Sequence, residues 1–280
     1  AVRVVGAIHS GLPYRLHCPA MDMRAEVWSP VQNIAVWCGA WLWGHESTDD
    51  LLDALTELGG EHVGAGLYSG VPFTDVLALI RRETAGIVES GEREPAMRLI
   101  LSGPGEAPAL PAGSASARAA TENPAGAIVV RTNDRDRHLV LIPTYDDAAA
   151  LTRWDVIEET EPLPQPAWLS PGEADALLSQ ATNESAALIE ASGEHSDALP
   201  NPRLTVGTLS DFYDTPGLPS AVPGRSAKLF ARADRVAAII ETVTDRINDH
   251  SFDPQLLRLW RHIRQARMAG VAYALSDFSR

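Results

Sequence analysis

Between Ile34 and Gly44 the chain reads IAVWCGAWLWG, eleven residues without a charge. Any fold for this sequence has to bury that run, which leads straight into HESTDDLLDALTEL. At a period of two, Trp37, Gly39, Trp41 and Trp43 fall on one face, and Val36, Cys38, Ala40 and Leu42 on the other. Both faces are apolar, which predicts a central strand covered on both sides. The next segment predicts a helix, because Leu51, Leu52, Leu55 and Leu58 recur at helical spacing. Ser47 stands three residues before Asp50, a capping-box-like start with aspartate in the acidic position. The apolar run is about half the length that a membrane-spanning helix needs.

A chain of 280 residues can bury one large core or two to three smaller ones. Its 45% hydrophobic and 21% charged content is that of an ordinary soluble globular protein. The net charge of −14 argues against nucleic acid and anionic membranes as partners. The charge is uneven: residues 1–225 carry −17 and residues 226–280 carry +3. Two cysteines make no disulfide framework. The opening AVRVVGAI reads as a strand rather than a signal peptide, so a cytoplasmic protein with reduced thiols is expected. A signal removed before this point stays open.

Along the chain, residues 2–8 read as a strand, and 25–28 and 34–43 as a hairpin across the loop 29–33. A helix over 47–58 ends at Gly59-Gly60. A glycine-rich connection, 64–70, precedes a helix over 73–88, and the charged stretch 89–95 marks a boundary. The pattern then restarts with a strand over 97–101, the turn Ser102-Gly103-Pro104-Gly105, and a hairpin of 127–131 with 138–143. A helix is expected to open at Thr144-Tyr145-Asp146-Asp147. A longer one starts at Ser170, with Pro171 in its first turn and Glu173 completing a capping box.

The predicted fold is therefore α+β, with two similar βββαα halves, 1–92 and 93–195, related by internal duplication and a pseudo-twofold. A loop-rich connector, 196–225, contains a short strand at 204–209. The chain closes with a C-terminal antiparallel helical hairpin over 226–280, one helix spanning 226–248 and the other starting at Asp253-Pro254.

Chemistry is sparsely marked. Asp49/Asp50 and Asp146/Asp147 sit where first-turn carboxylates meet free N–H groups, a structural role. His9, His17, Cys18, Cys38, His45 and His62 lack the paired spacing of a zinc site, so no metal and no cofactor is expected, though a weak site from His9, His17, Cys18 and His45 is left open. Ser10 and Ser102 follow strands without a G-x-S-x-G elbow and read as turn residues. The loop containing Gly64, Gly66, Ser69 and Gly70 offers a phosphate cradle before a helix, without a lysine motif. Trp41 belongs either to the core or to an aromatic groove beside that loop. Arg258, Arg261, Arg264 and Arg267 form a basic face that either docks an acidic partner or pairs with Asp234, Asp245 or Asp249. Arg267 lies beside the apolar stripe of Trp260, Ile263 and Val271 and needs a partner.

Absence of a catalytic signature and a charge-segregated helical appendage favour a non-catalytic protein-interaction or self-association module. The alternative is a small-molecule or phosphate-binding protein, or an enzyme, with its site between the halves near residues 64–70.

Overall fold

The computed structural model describes residues 29–92, 94–191, 217–247 and 253–280. In it the apolar run is helical: α1 spans Pro30–Leu42. The central strand over 34–43, and the hairpin loop over 29–33, are corrected by this. Ser29 is the N-cap of α1 and Pro30 its first residue, a position where proline loses no hydrogen bond. Every residue of α1 except Trp37 is buried. When all sides of a segment are apolar, periodicity cannot separate a buried strand from a buried helix, and length with a proline start decides for the helix.

α2 (Thr48–Gly59) follows, and the Ser47 hydroxyl accepts the Asp50 N–H at 3.1 Å as the capping spacing predicts. A short strand, β1 (Glu61–Gly64), leads through a 3-10 turn (Gly66–Tyr68) into α3 (Phe73–Ser90). Then come β2 (Met97–Ile100), α4 (Ala115–Glu122), β3 (Ala127–Arg131), β4 (His138–Asp146) and β5 (Leu151–Glu159). The hairpin expected from 127–143 is present, with Arg131 opposite His138. The helix expected from Thr144 is not: Thr144, Tyr145 and Asp146 continue β4, and residues 147–150 turn into β5. Buried Thr152, Trp154 and Val156 alternate with Arg153, Asp155 and Ile157, so pairing on a half-buried surface prevails over alanine's helical preference.

The five strands form one sheet in the order β1-β5-β4-β3-β2, with β1 parallel to β5 and the other pairs antiparallel. Four strands come from 93–195 and one from the described part of 1–92, so the βββαα repetition is absent from the described residues. One sheet face carries Leu99, Ile128, Val130, Leu139, Leu141 and Trp154 into a core with α1, α2 and α3. The opposite face carries Ile100, Val129, Val140 and Ile142 against α4. Residues 2–8, 25–28 and 204–209, also read as strands, lie outside the described residues.

α5 (Pro171–Ala191) begins with its predicted capping box: the Glu173 carboxylate accepts the Ser170 N–H at 2.9 Å, and the Ser170 hydroxyl accepts the Glu173 N–H at 3.2 Å. α6 (Gly224–Ile247) and α7 (Asp253–Phe278) form the expected antiparallel hairpin, Phe230 facing Gly270 and Asp234 facing Arg267. α5 joins them in a three-helix bundle centred on Leu178, Leu229, Ala233, Leu259 and Ile263. The C-terminal part of α7, with Val271, Ala274, Leu275 and Phe278, leaves the bundle and enters the core over the sheet. No described helix is long and apolar enough to cross a membrane.

Two details generate predictions. Gly60 closes α2 at φ 73°, and a Cβ there would lie 1.9 Å from the Ala150 carbonyl oxygen. Gly60→Ala is expected to cost about 2–3 kcal/mol, read as a lowered urea midpoint. His62 is buried between α2 and β5; its Nε2–H donates to the Leu55 carbonyl and its Nδ1 accepts the Trp154 indole N–H, each at 2.9 Å. Burial pushes its pKa from 6.5 down to about 4, against the opposing Leu55 hydrogen bond. Between those values the unfolded chain binds a proton that the fold refuses. The stabilisation is therefore complete above pH 6.5 and declines by about 3 kcal/mol as pH falls to about 4. Urea titrations from pH 7 to 4.5 are expected to show that decline, and a shallower one in His62→Gln.

Candidate functional site

The residues singled out by sequence divide between core and surface. Trp41 is core: it is 3% exposed, its indole N–H donates to Thr48 Oγ1 at 3.0 Å, and the Arg81 guanidinium lies 4.3 Å above its ring. The glycine-rich loop packs on β5, with the Ala65 N–H donating to the Trp154 carbonyl at 2.8 Å. Gly64 is required there because a Cβ would lie 2.4 Å from the Tyr68 carbonyl oxygen. Gly66 and Gly70 take positive φ, Ser69 is exposed, and Leu67 stands in solvent at 96% exposure. These residues shape a connector at the β1 edge of the sheet.

The arginines of α7 are met within the chain. Arg258 pairs with Glu184 at 3.0 Å, and Arg261 and Arg264 with Glu106 at 3.8 and 3.0 Å. Arg267 finds its partner in Asp234 at 2.9 Å. Arg264 and Arg267 are buried, and Arg258 and Arg261 are exposed. Among the described residues no group of three or more His, Cys, Asp and Glu is placed to hold a metal. Cys38 is buried in α1, where desolvation pushes its thiol up to about 12, and His45 meets the Phe278 carbonyl at 2.9 Å. His9, His17 and Cys18 lie outside the described residues.

A cleft stands instead at the opposite edge of the sheet. A cavity of about 170 Å³ lies between β2, the end of β3, the segment 165–169 and α7. Its walls are mainly apolar, with Met97, Val129, Met268 and Ala272 among them, and Trp168 stands in its wall, 59% exposed. The Arg131 N–H donates to the Ala96 carbonyl at 2.8 Å, which fixes the hydrogen-bonding alternation of β2. By that alternation the peptide groups of Met97 and Leu99 turn away from β3, and the next such N–H, at Leu101, meets Met268 Sδ at 3.4 Å.

Two cations among the described residues line this cleft. Arg131 is committed to Glu92 at 2.6 Å and Glu94 at 3.7 Å. Among the described residues Arg98 forms no ion pair, and its one hydrogen bond is to the Pro164 carbonyl at 3.2 Å. Burial lowers its pKa, Glu94 opposes that and Arg131 adds to it. Burial, Arg98 and Arg131 likewise lower the pKa of His138, against the opposing charges of Glu94 and Glu159. Sequence reasoning missed this site. Its signals were a lone arginine in the apolar strand MRLI and a tryptophan closing the proline-rich stretch PLPQPAW.

Comparison with known proteins adds a frame. Models of the Rv1486c-like protein match this chain, the N-terminal domain over residues 32–168 and the C-terminal domain over 172–268. A relative named Uncharacterized protein MT1533, from Mycobacterium tuberculosis (strain CDC 1551 / Oshkosh), is 26% identical over 89% of this chain and 98% of its own length. Uncharacterized protein ML1804 of Mycobacterium leprae is 25% identical over 88% of this chain and 97% of its own. No solved structure matches. The two matched regions meet at residues 169–171, beside the cleft.

Because Trp41 fills the core, Trp41→Ala is expected to cost about 3–5 kcal/mol in a denaturant titration. Unchanged stability with altered ligand binding would contradict its placement.

Proposed function

The chain belongs to the Rv1486c-like protein family, both of whose domains it carries, and we propose on that premise a non-catalytic binding protein. Its ligand is a small molecule with an apolar body and one anionic group, held where the domains meet. The observation that carries this reading is Arg98, a half-buried guanidinium in the cleft wall that forms no ion pair with a described residue, the nearby Glu94 being paired with Arg131. A buried charge is unfavourable until paired, and a bidentate anion suits the guanidinium fork. The outward peptide groups of Met97 and Leu99 add donors and acceptors along the body of the ligand. Absence of chemistry is supported by the described lining residues, among which no serine, threonine, cysteine, lysine or histidine appears and the carboxylates of Glu94 and Glu106 each face an arginine. This moves the ligand site from residues 64–70 to the other sheet edge.

A second reading, self-association or docking of a protein partner through the bundle, draws on Leu177, Ile239 and Leu257, one exposed apolar residue on each of α5, α6 and α7. It predicts a concentration-dependent mass in solution.

Isothermal titration with octanoate and octylamine, equal in chain length and opposite in charge, tests the first reading. Octanoate is expected to bind at one site, octylamine not, and Arg98→Gln to weaken octanoate about tenfold, the worth of one charge-assisted contact. Equal binding of both amphiphiles, or binding of neither, would overturn it.

A further inference from the structure

A second, smaller cavity of about 20 Å³ lies where the N-terminus of α1 and the end of β2 meet α7. Ser29, Ser102, Arg264 and Arg267 line it, with Trp260 and Ile263 closing its apolar side. Two of these polar groups have an atom without a partner among the described residues. Ser29 is 6% exposed, and its hydroxyl neither caps α1 nor bonds another described residue. Arg264 is 8% exposed; its Nε donates to Glu106 at 3.0 Å, while Nη2 has no acceptor among the described residues. Its guanidinium leans on Gly103, where a Cβ would lie 2.5 Å from Nη1, so the backbone is shaped to admit it. Arg267, on the same wall, donates to Asp234 at 2.9 Å.

We propose that this cavity binds a small anion, a halide-sized ion or the terminal oxygen of a carboxylate or phosphoryl group reaching in from solvent. The side-chain groups that line it are guanidinium and hydroxyl donors, and they converge on a space that fits one or two atoms. Glu106 and Asp234 balance the charges of the two arginines outside the cavity. The positive end of the 13-residue helix α1 tips the remaining balance toward an anion rather than a water. Apolar walls from Trp260 and Ile263 strengthen each such contact. The anion bridges α1 and β2 to α7, joining the sheet core to the helical bundle. This site is separate from the ligand cleft and stands independently of it.

The test is thermal unfolding of the whole protein dialysed into salt-free zwitterionic buffer, then titrated with sodium salts that are compared at equal ionic strength. Chloride, acetate and phosphate serve as separate arms, so that halide, carboxylate and phosphoryl acceptors are told apart. At tenfold over its dissociation constant a bound anion is expected to raise Tm by about 2–3 °C, saturably. Ser29→Ala, which removes one unpartnered hydroxyl and leaves the Arg264–Glu106 pair intact, is expected to abolish the rise, as is Arg264→Gln where it folds. Crystals grown in bromide should show one anomalous peak in the cavity. Equal melting in every salt, a rise that survives Ser29→Ala, or bromide sited elsewhere would leave the cavity to water and overturn the proposal.

Discussion

The burial of α7 in two cores at once is the constraint on which the rest of the molecule depends. Its first part, through Leu259, Ile263 and Ala266, completes the bundle with α5 and α6, and its last part, through Val271, Leu275 and Phe278, closes the core above the sheet. Two glycines make this possible. A Cβ at Gly39 of α1 would lie 2.0 Å from Leu275 Cδ2, and one at Gly270 of α7 would lie 2.4 Å from the Phe230 ring. Helices approach so closely only where a side chain is missing, and the resulting contacts are dense enough that a change of one methyl group is felt. The buried arginines belong to the same arrangement. Arg264 and Arg267 extend from α7 to Glu106 and Asp234, paying the cost of burial with specific partners and fixing how the helix is rotated.

The cleft follows from this geometry. An edge strand presents unpaired peptide groups and has to be covered or blunted. β2 is covered incompletely, by α7 on one side and by residues 165–169 on the other, and the gap left between them is the cavity. Arg98 fits poorly as a structural device in that gap. In a strand with buried Met97, Leu99 and Ile100 it is a half-buried cation near both Glu94 and Arg131, tied within the chain to the Pro164 carbonyl, and the binding proposal rests on it.

Much of the fold was legible where polar and apolar residues alternate or where a cap stands out. The helix after Ser47, the capping box at Ser170 and Glu173, the hairpin around residues 132–137 and the closing helical pair all rested on such local rules. The reading failed where the pattern carried no contrast. In the run from Ile34 every residue is apolar, so any period fits, and Pro30 was read as a turn residue instead of a helix start. After Thr144 the acidic pair Asp146-Asp147 suggested a helix start, although the alternation of Thr152, Trp154 and Val156 was already visible. With those two elements misassigned, a repeat emerged that the five-stranded sheet does not contain. The cleft was illegible for another reason: residues 98, 131, 168 and 268 converge through topology, which no local pattern encodes.

The most direct test of the binding account is native mass spectrometry of the protein and its Arg98→Gln variant after exposure of each to the same small-molecule extract. The account predicts an acidic adduct of small mass on the unaltered chain, lost on denaturation and absent from the variant. Identical adducts on both chains, or a bare dimer in place of any adduct, would contradict it.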